Sequence, residues 1–91
     1  MTEIDSRMSE LAARFAARAA DEREVLAASL ASGDREEVAE RTHKLAGVAG
    51  MFGHPEITKA ALAVEAAAEQ GRPMDVEGRH LLDLLAALAT D

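Results

Sequence analysis

The sequence predicts an all-α protein, folded as an antiparallel up-down-up-down four-helix bundle. Three observations lead there. The chain of 91 residues is 48% hydrophobic, but 21 of those residues are Ala and none is Trp or Tyr, so strong helix formers outweigh the β-branched and aromatic residues that favour strands. Apolar side chains recur at helical spacing in four stretches. The stretches are separated only by Ser32-Gly33, Gly53-His54-Pro55 and Gln70-Gly71-Arg72-Pro73, and loops this short make neighbouring helices antiparallel. Three helices with a long N-terminal arm are the lesser alternative. The length suits a single domain over residues 1–91.

The first helix is expected from about Asp5 to Ala31, capped by Asp5 or Ser6. Met8, Leu11 and Phe15 begin its apolar stripe, and Val25, Leu26 and Leu30 resume it. Between them, residues 16–23 hold no large apolar side chain, so the stretch fits one continuous helix, a kinked one or two helices. Gly33 suits the left-handed position that ends it. The second helix runs from Asp34, a good N-cap with Glu37 three residues on, to Phe52. The third follows Pro55, which needs no N–H partner at a first helical position. Ile57, Ala60, Ala61, Val64 and Ala68 keep its period. The fourth spans roughly Asp75 to Thr90, with a buried stripe of Leu81, Leu84, Leu85 and Leu88.

Composition excludes several functions. A net charge of −7 repels phosphate backbones and anionic lipids, so neither nucleic acid nor membrane is expected as a partner. No apolar run reaches the roughly 20 residues of a transmembrane helix, and the N-terminus lacks a signal peptide's basic and apolar regions. A cytoplasmic monomer is expected. The absence of cysteine removes disulfides, thiolate metal sites and cysteine catalysis. Three histidines at 43, 54 and 80 give no helical i, i+3 or i, i+4 pair, so no metal site is expected.

The informative stretch is Thr42-His43-Lys44-Leu45-Ala46-Gly47-Val48-Ala49-Gly50-Met51-Phe52-Gly53. On a helix turning about 100° per residue, with His43 at zero, Leu45, Phe52, Val38 and Ala49 fall between about 180° and 240° and define a core side. His43 then points away from the core. Gly47 and Gly50 lie one and two turns on and Ala39 one turn back, all within about 40° of it, with Ala46 about 60° to the side. The imidazole thus stands on a strip of very small side chains. Each helical Gly costs roughly 1 kcal/mol relative to Ala, and access for a reacting group on another protein would explain two of them. A neutral imidazole nitrogen is a nucleophile near neutral pH. Glu40 or Glu36 could orient the other nitrogen, and Lys44 could offset phosphate charge. The bland reading is a surface histidine beside glycines that serve helix contact. His54 reads as a loop or cap residue and His80 as a core-boundary one. Met51 fits a docking surface and a peripheral core equally well.

This stretch resembles the histidine-containing phosphotransfer (HPt) family. Members carry an Ala-His-x-Leu-Lys-Gly-like core, and Thr42-His43-Lys44-Leu45-Ala46-Gly47 matches at His, Leu and Gly. Phe52-Gly53 matches the closing apolar-Gly pair, and the likeness extends to Ser32-Gly33-Asp34, Leu62-Ala63-x-Glu65 and Gly71, over roughly Met8 to Leu88. Two departures stand out: Ala46 replaces the usual Lys, and Thr42 replaces Ala.

The resemblance implies a phosphorelay carrier in two-component signalling. His43 would accept a phosphoryl group from a receiver-domain aspartate, in a response regulator or hybrid kinase, and pass it to another. Lys44 or Lys59 would stand in for the missing Lys. Glu36, Ala39, Glu40, Ala46, Gly47, Gly50 and Met51 would form the docking surface. The chain would have no ATP site and no cofactor of its own, with Mg²⁺ supplied by the receiver. Two competitors remain at this point: a helical interaction module that docks to a receiver or kinase without being phosphorylated, and an oligomer that buries the glycine strip.

Overall fold

A computed structural model describes the backbone of residues 3–90 and the side chains of residues 6–90. It contains four helices, α1 (Glu3–Ser32), α2 (Arg35–Met51), α3 (Pro55–Glu69) and α4 (Asp75–Thr90), and no strand among the described residues. Each helix packs on its sequence neighbours and α4 closes the ring onto α1, which is the expected four-helix bundle.

Helix α1 runs 30 residues without a break, so the first segment is one helix and not two. Its middle lacks large apolar groups, but Ala and Arg there are good helix formers, and no Pro, Gly or bulge interrupts the hydrogen-bond ladder. The backbone is already helical at Glu3, so Ser6 lies inside the helix and not at its cap. The side chain of Asp5, the other candidate cap, lies outside the described residues.

Turn chemistry fixes the other ends. Gly33 adopts φ +74°, and its N–H donates to the Leu30 carbonyl at 3.2 Å while Asp34 N–H donates to the Ser29 carbonyl at 3.3 Å, so two carbonyls of the last turn of α1 are satisfied. Asp34 caps α2 by accepting from the Glu37 N–H at 3.1 Å. Arg35 reaches over to α3, where its guanidinium donates to the carbonyls of Ala67 and Arg72 at 3.2 and 2.8 Å. One side chain thereby ties the start of α2 to the end of α3.

The core is built from Leu26, Val38, Val64, Leu81 and Leu85, all fully buried, with alanines between them. Small residues let the helices approach closely. A Cβ on Gly78 would come within 3.1 Å of Leu30 Cδ1, so α4 approaches α1 closely there and a larger residue would need Leu30 to shift. His80, expected at the core boundary, is exposed, as its position on the far side of Leu81 requires.

The ring is uneven. Contact is densest between α2 and α3 and sparsest between α1 and α2, where a groove of about 770 Å³ opens. Among the described residues no helix is long and apolar enough to cross a membrane.

Candidate functional site

The buried sector of α2 holds Val38, Thr42, Leu45, Ala46 and Ala49. Its centre lies near 250° from His43, about 40° further round toward α3 than the larger apolar residues imply. The cause is the close α2–α3 contact and the open α1–α2 seam. Thr42 is fully buried, and its hydroxyl donates to the Val38 carbonyl at 2.7 Å, which satisfies it inside the core. Ala46 is 95% buried by the same rotation. It is therefore a core residue and not part of a docking surface, contrary to the sequence-based expectation.

His43 itself is exposed, with 74% of its side chain accessible. It stands on the flank of α2 beside α3. There its Nδ1 lies 3.0 Å from Glu65 Oε2, and the Glu65 side chain is only 15% exposed. A carboxylate can only accept, so Nδ1 carries a proton, and in the neutral ring Nε2 is then the nitrogen with the lone pair. The glutamate thus fixes both the tautomer and the direction of the other nitrogen, as the aspartate does for the histidine of a Ser-His-Asp triad.

Glu65 is the residue that sequence reasoning missed. Glu40 and Glu36 were the expected orienting groups. Glu40 instead accepts from Lys44 at 3.4 Å, and Glu36 is exposed one turn before it. A signal was present. In an antiparallel α2–α3 hairpin turning at His54, His43 and Glu65 are equally distant from the turn and fall side by side. Loss of Glu65 to Ala is expected to free the ring and lower its reactivity toward a small phosphoramidate donor on the order of tenfold to a hundredfold. Glu65→Gln, whose amide oxygen still accepts, should restore part of it. Nitrogen NMR of the imidazole supplies a readout that folding alone would not change: Glu65→Ala mixes the tautomers, while the parent holds one.

The floor around His43 matches the expectation at Gly47 and Gly50, both exposed, and Ala39, half-buried. A Cβ on Gly47 would meet nothing within 4 Å, and one on Gly50 would lie 3.4 Å from Thr58 Oγ1. Thr58 donates to the Ala46 carbonyl at 2.9 Å, pinning α3 to α2 just beyond the site. Met51 is 66% exposed and Leu62, on α3 one turn before Glu65, is 48% exposed. Met51 is therefore surface, and Leu62 adds an apolar group that was not expected there. Neither lysine is held against the imidazole. Lys44 lines the groove on the α1 side, and Lys59 is exposed on α3 six residues before Glu65, about two turns away.

The model of the Hpt domain family matches residues 10–91 of the chain. No curated protein and no solved structure matches it.

Proposed function

Because the chain belongs to the Hpt domain family, whose part in two-component signalling is phosphotransfer, we propose that it is a phosphorelay carrier with His43 as the phosphoacceptor. One observation carries this reading: an exposed imidazole whose Nδ1 proton is held by Glu65, leaving Nε2 free.

The step balances without a nucleotide. His43 Nε2 attacks the phosphorus of a receiver aspartyl phosphate, an N–P bond forms, and the aspartate oxygen leaves as a carboxylate. Positive charge grows on the ring as the bond forms. The Glu65 carboxylate, 3.0 Å from Nδ1, stabilises that charge without taking the proton. Reversal of the same step onto a second receiver aspartate discharges the carrier. Mg²⁺ and most of the stabilisation of the phosphoryl oxygens come from the receiver. Ala46, where the family usually has Lys, is buried, so this chain relies on its partner for that charge. Lys44 and Lys59 remain candidates for a lesser contribution. The docking surface is the α2 flank with Glu36, Ala39, Glu40, Gly47, Gly50 and Met51, joined by Leu62. An apolar centre with a charged rim suits a transient partner.

Incubation with a receiver labelled on its aspartate is expected to move the label to this chain. The label should be acid-labile and base-stable, and should map to the peptide carrying His43. A receiver that binds while keeping all its label would instead mean a non-phosphorylated interaction module.

A further inference from the structure

Helix α1 is 30 residues long, against 15 to 17 for the others. Its Phe15 ring lies 5.8 Å from Phe52 and 5.6 Å from His54, so the α2–α3 turn sits level with Phe15. Leu11 and Arg14 still edge the mouth of the α1–α2 groove, and the turns before them run past the end of the bundle. The 12 residues from Glu3 to Arg14 span about 18 Å and contribute to the long axis of 47 Å in a molecule 21 Å and 17 Å across. The projecting arm is amphipathic. Met8 and Leu11 are 39% and 36% exposed, and they continue the stripe that enters the α1–α2 groove at Phe15. That groove is lined by Phe15, Val25, Leu45, Val48 and Phe52, of which Val25 and Val48 are 40% and 39% exposed. An apolar stripe that starts on the projecting turns, with Leu11 at the groove's mouth, therefore leads into a half-exposed apolar groove with a charged rim.

We propose that two copies of the chain pair antiparallel along α1, each laying its projecting arm in the α1–α2 groove of the other. The charge pattern selects both the occupant and the register. With a two-fold axis between Arg14 and Phe15, the arm residues of one copy lie against residues 15–26 of the second. Arg7, one turn before Leu11 on the same face, meets the second copy's Glu22, which lines the groove. Symmetry makes this ion pair twice. Leu11 meets the second copy's Arg18, whose aliphatic stem covers it. Arg14, nearest the axis, carries its own counter-ion, Glu10 at 3.5 Å. None of the four ion pairs among the described residues uses Arg18 or Glu22, so both are available. The groove lies on the α1 side of α2 and His43 on the α3 side; Glu40 and Lys44 edge the groove, while the imidazole, Gly47, Gly50 and Met51 lie outside it, so pairing leaves the imidazole open. This departs from the monomer expected of the sequence, and it does not depend on the proposed chemistry.

Sedimentation of the full chain over a range of concentrations, with circular dichroism as a folding control, tests the proposal. The parent is expected to dimerise, and Leu11→Asp to run as a helical monomer. Arg7→Glu and Glu22→Arg, each alone, set like charges together twice and should weaken the dimer about tenfold or more. An equimolar mixture of these two variants restores both pairs, and should form a heterodimer as tight as the parent. Label uptake at His43 should be unchanged in all of them. A parent that stays monomeric to about millimolar concentration, a dimer indifferent to Leu11→Asp, or a mixture that fails to associate would each overturn it.

Discussion

Replacement of His43 by glutamine is expected to abolish phosphoryl uptake, at least about a thousandfold and down to assay background, while leaving the helical fold intact. The two halves of this expectation rest on different facts. The fold is spared because 74% of the His43 side chain faces solvent and its one recorded partner is Glu65. A glutamine amide can still donate toward that carboxylate, so no partly buried acceptor is stranded. Helix propensity changes little between the two residues. Uptake is lost because an amide nitrogen has no available lone pair, and no other group nearby replaces it. His54 is half-buried with its ring against Phe15 at 5.6 Å, and His80 is on α4, away from the α2–α3 flank. Thermal unfolding close to that of the parent, together with complete loss of acid-labile label, is the expected pair of results. Label retained by His43→Gln would move the acceptor elsewhere and remove the role given to Glu65.

Helices and turns were legible because their signals are local. Gly33 and Gly53 end helices in left-handed conformations, at φ +74° and +78°, and Asp34 and Pro55 begin them where capping chemistry predicts. The position of His43 on an exposed face was legible from the spacing of Val38, Leu45 and Ala49. What stayed hidden depends on how far one helix rotates against the next. Large apolar residues mark a core side, but Thr42 and Ala46 carry no such mark, and both are buried. Their burial turns α2 toward α3, and this rotation brings Glu65 to the imidazole in place of Glu40. Whether α1 is one helix or two stayed hidden for a related reason. A gap in the apolar stripe reports missing tertiary contact, whereas continuity of a helix is decided by its own backbone, and residues 16–23 are good helix formers. Even the groove beside them follows from that gap.

A bulky side chain at position 47 is expected to separate stability from transfer. Gly47 lies in mid-helix, where Gly costs roughly 1 kcal/mol relative to Ala, and a Cβ there would touch nothing within 4 Å. Gly47→Ala should therefore stabilise the protein by up to about 1 kcal/mol, and Gly47→Leu should fold at least as well as the parent. No internal packing reason for the glycine exists, unlike Gly78, where a Cβ would crowd Leu30 at 3.1 Å. If the strip serves a receiver that must bring an aspartyl phosphate to His43 one turn away, a leucine there holds the two reacting atoms apart. Transfer to Gly47→Leu should then fall on the order of a hundredfold, since a misplacement of about 1 Å can cost that much. Gly47→Ala should lie between. Because the substitution leaves Nε2 and Glu65 untouched, reactivity toward a small phosphoramidate donor should survive in both variants. Loss of transfer from the protein donor with retention of transfer from the small one isolates docking from chemistry. Equal transfer from a receiver to the parent and to Gly47→Leu would mean that no partner comes down onto this flank, and the stability cost of the glycine would be left without a cause.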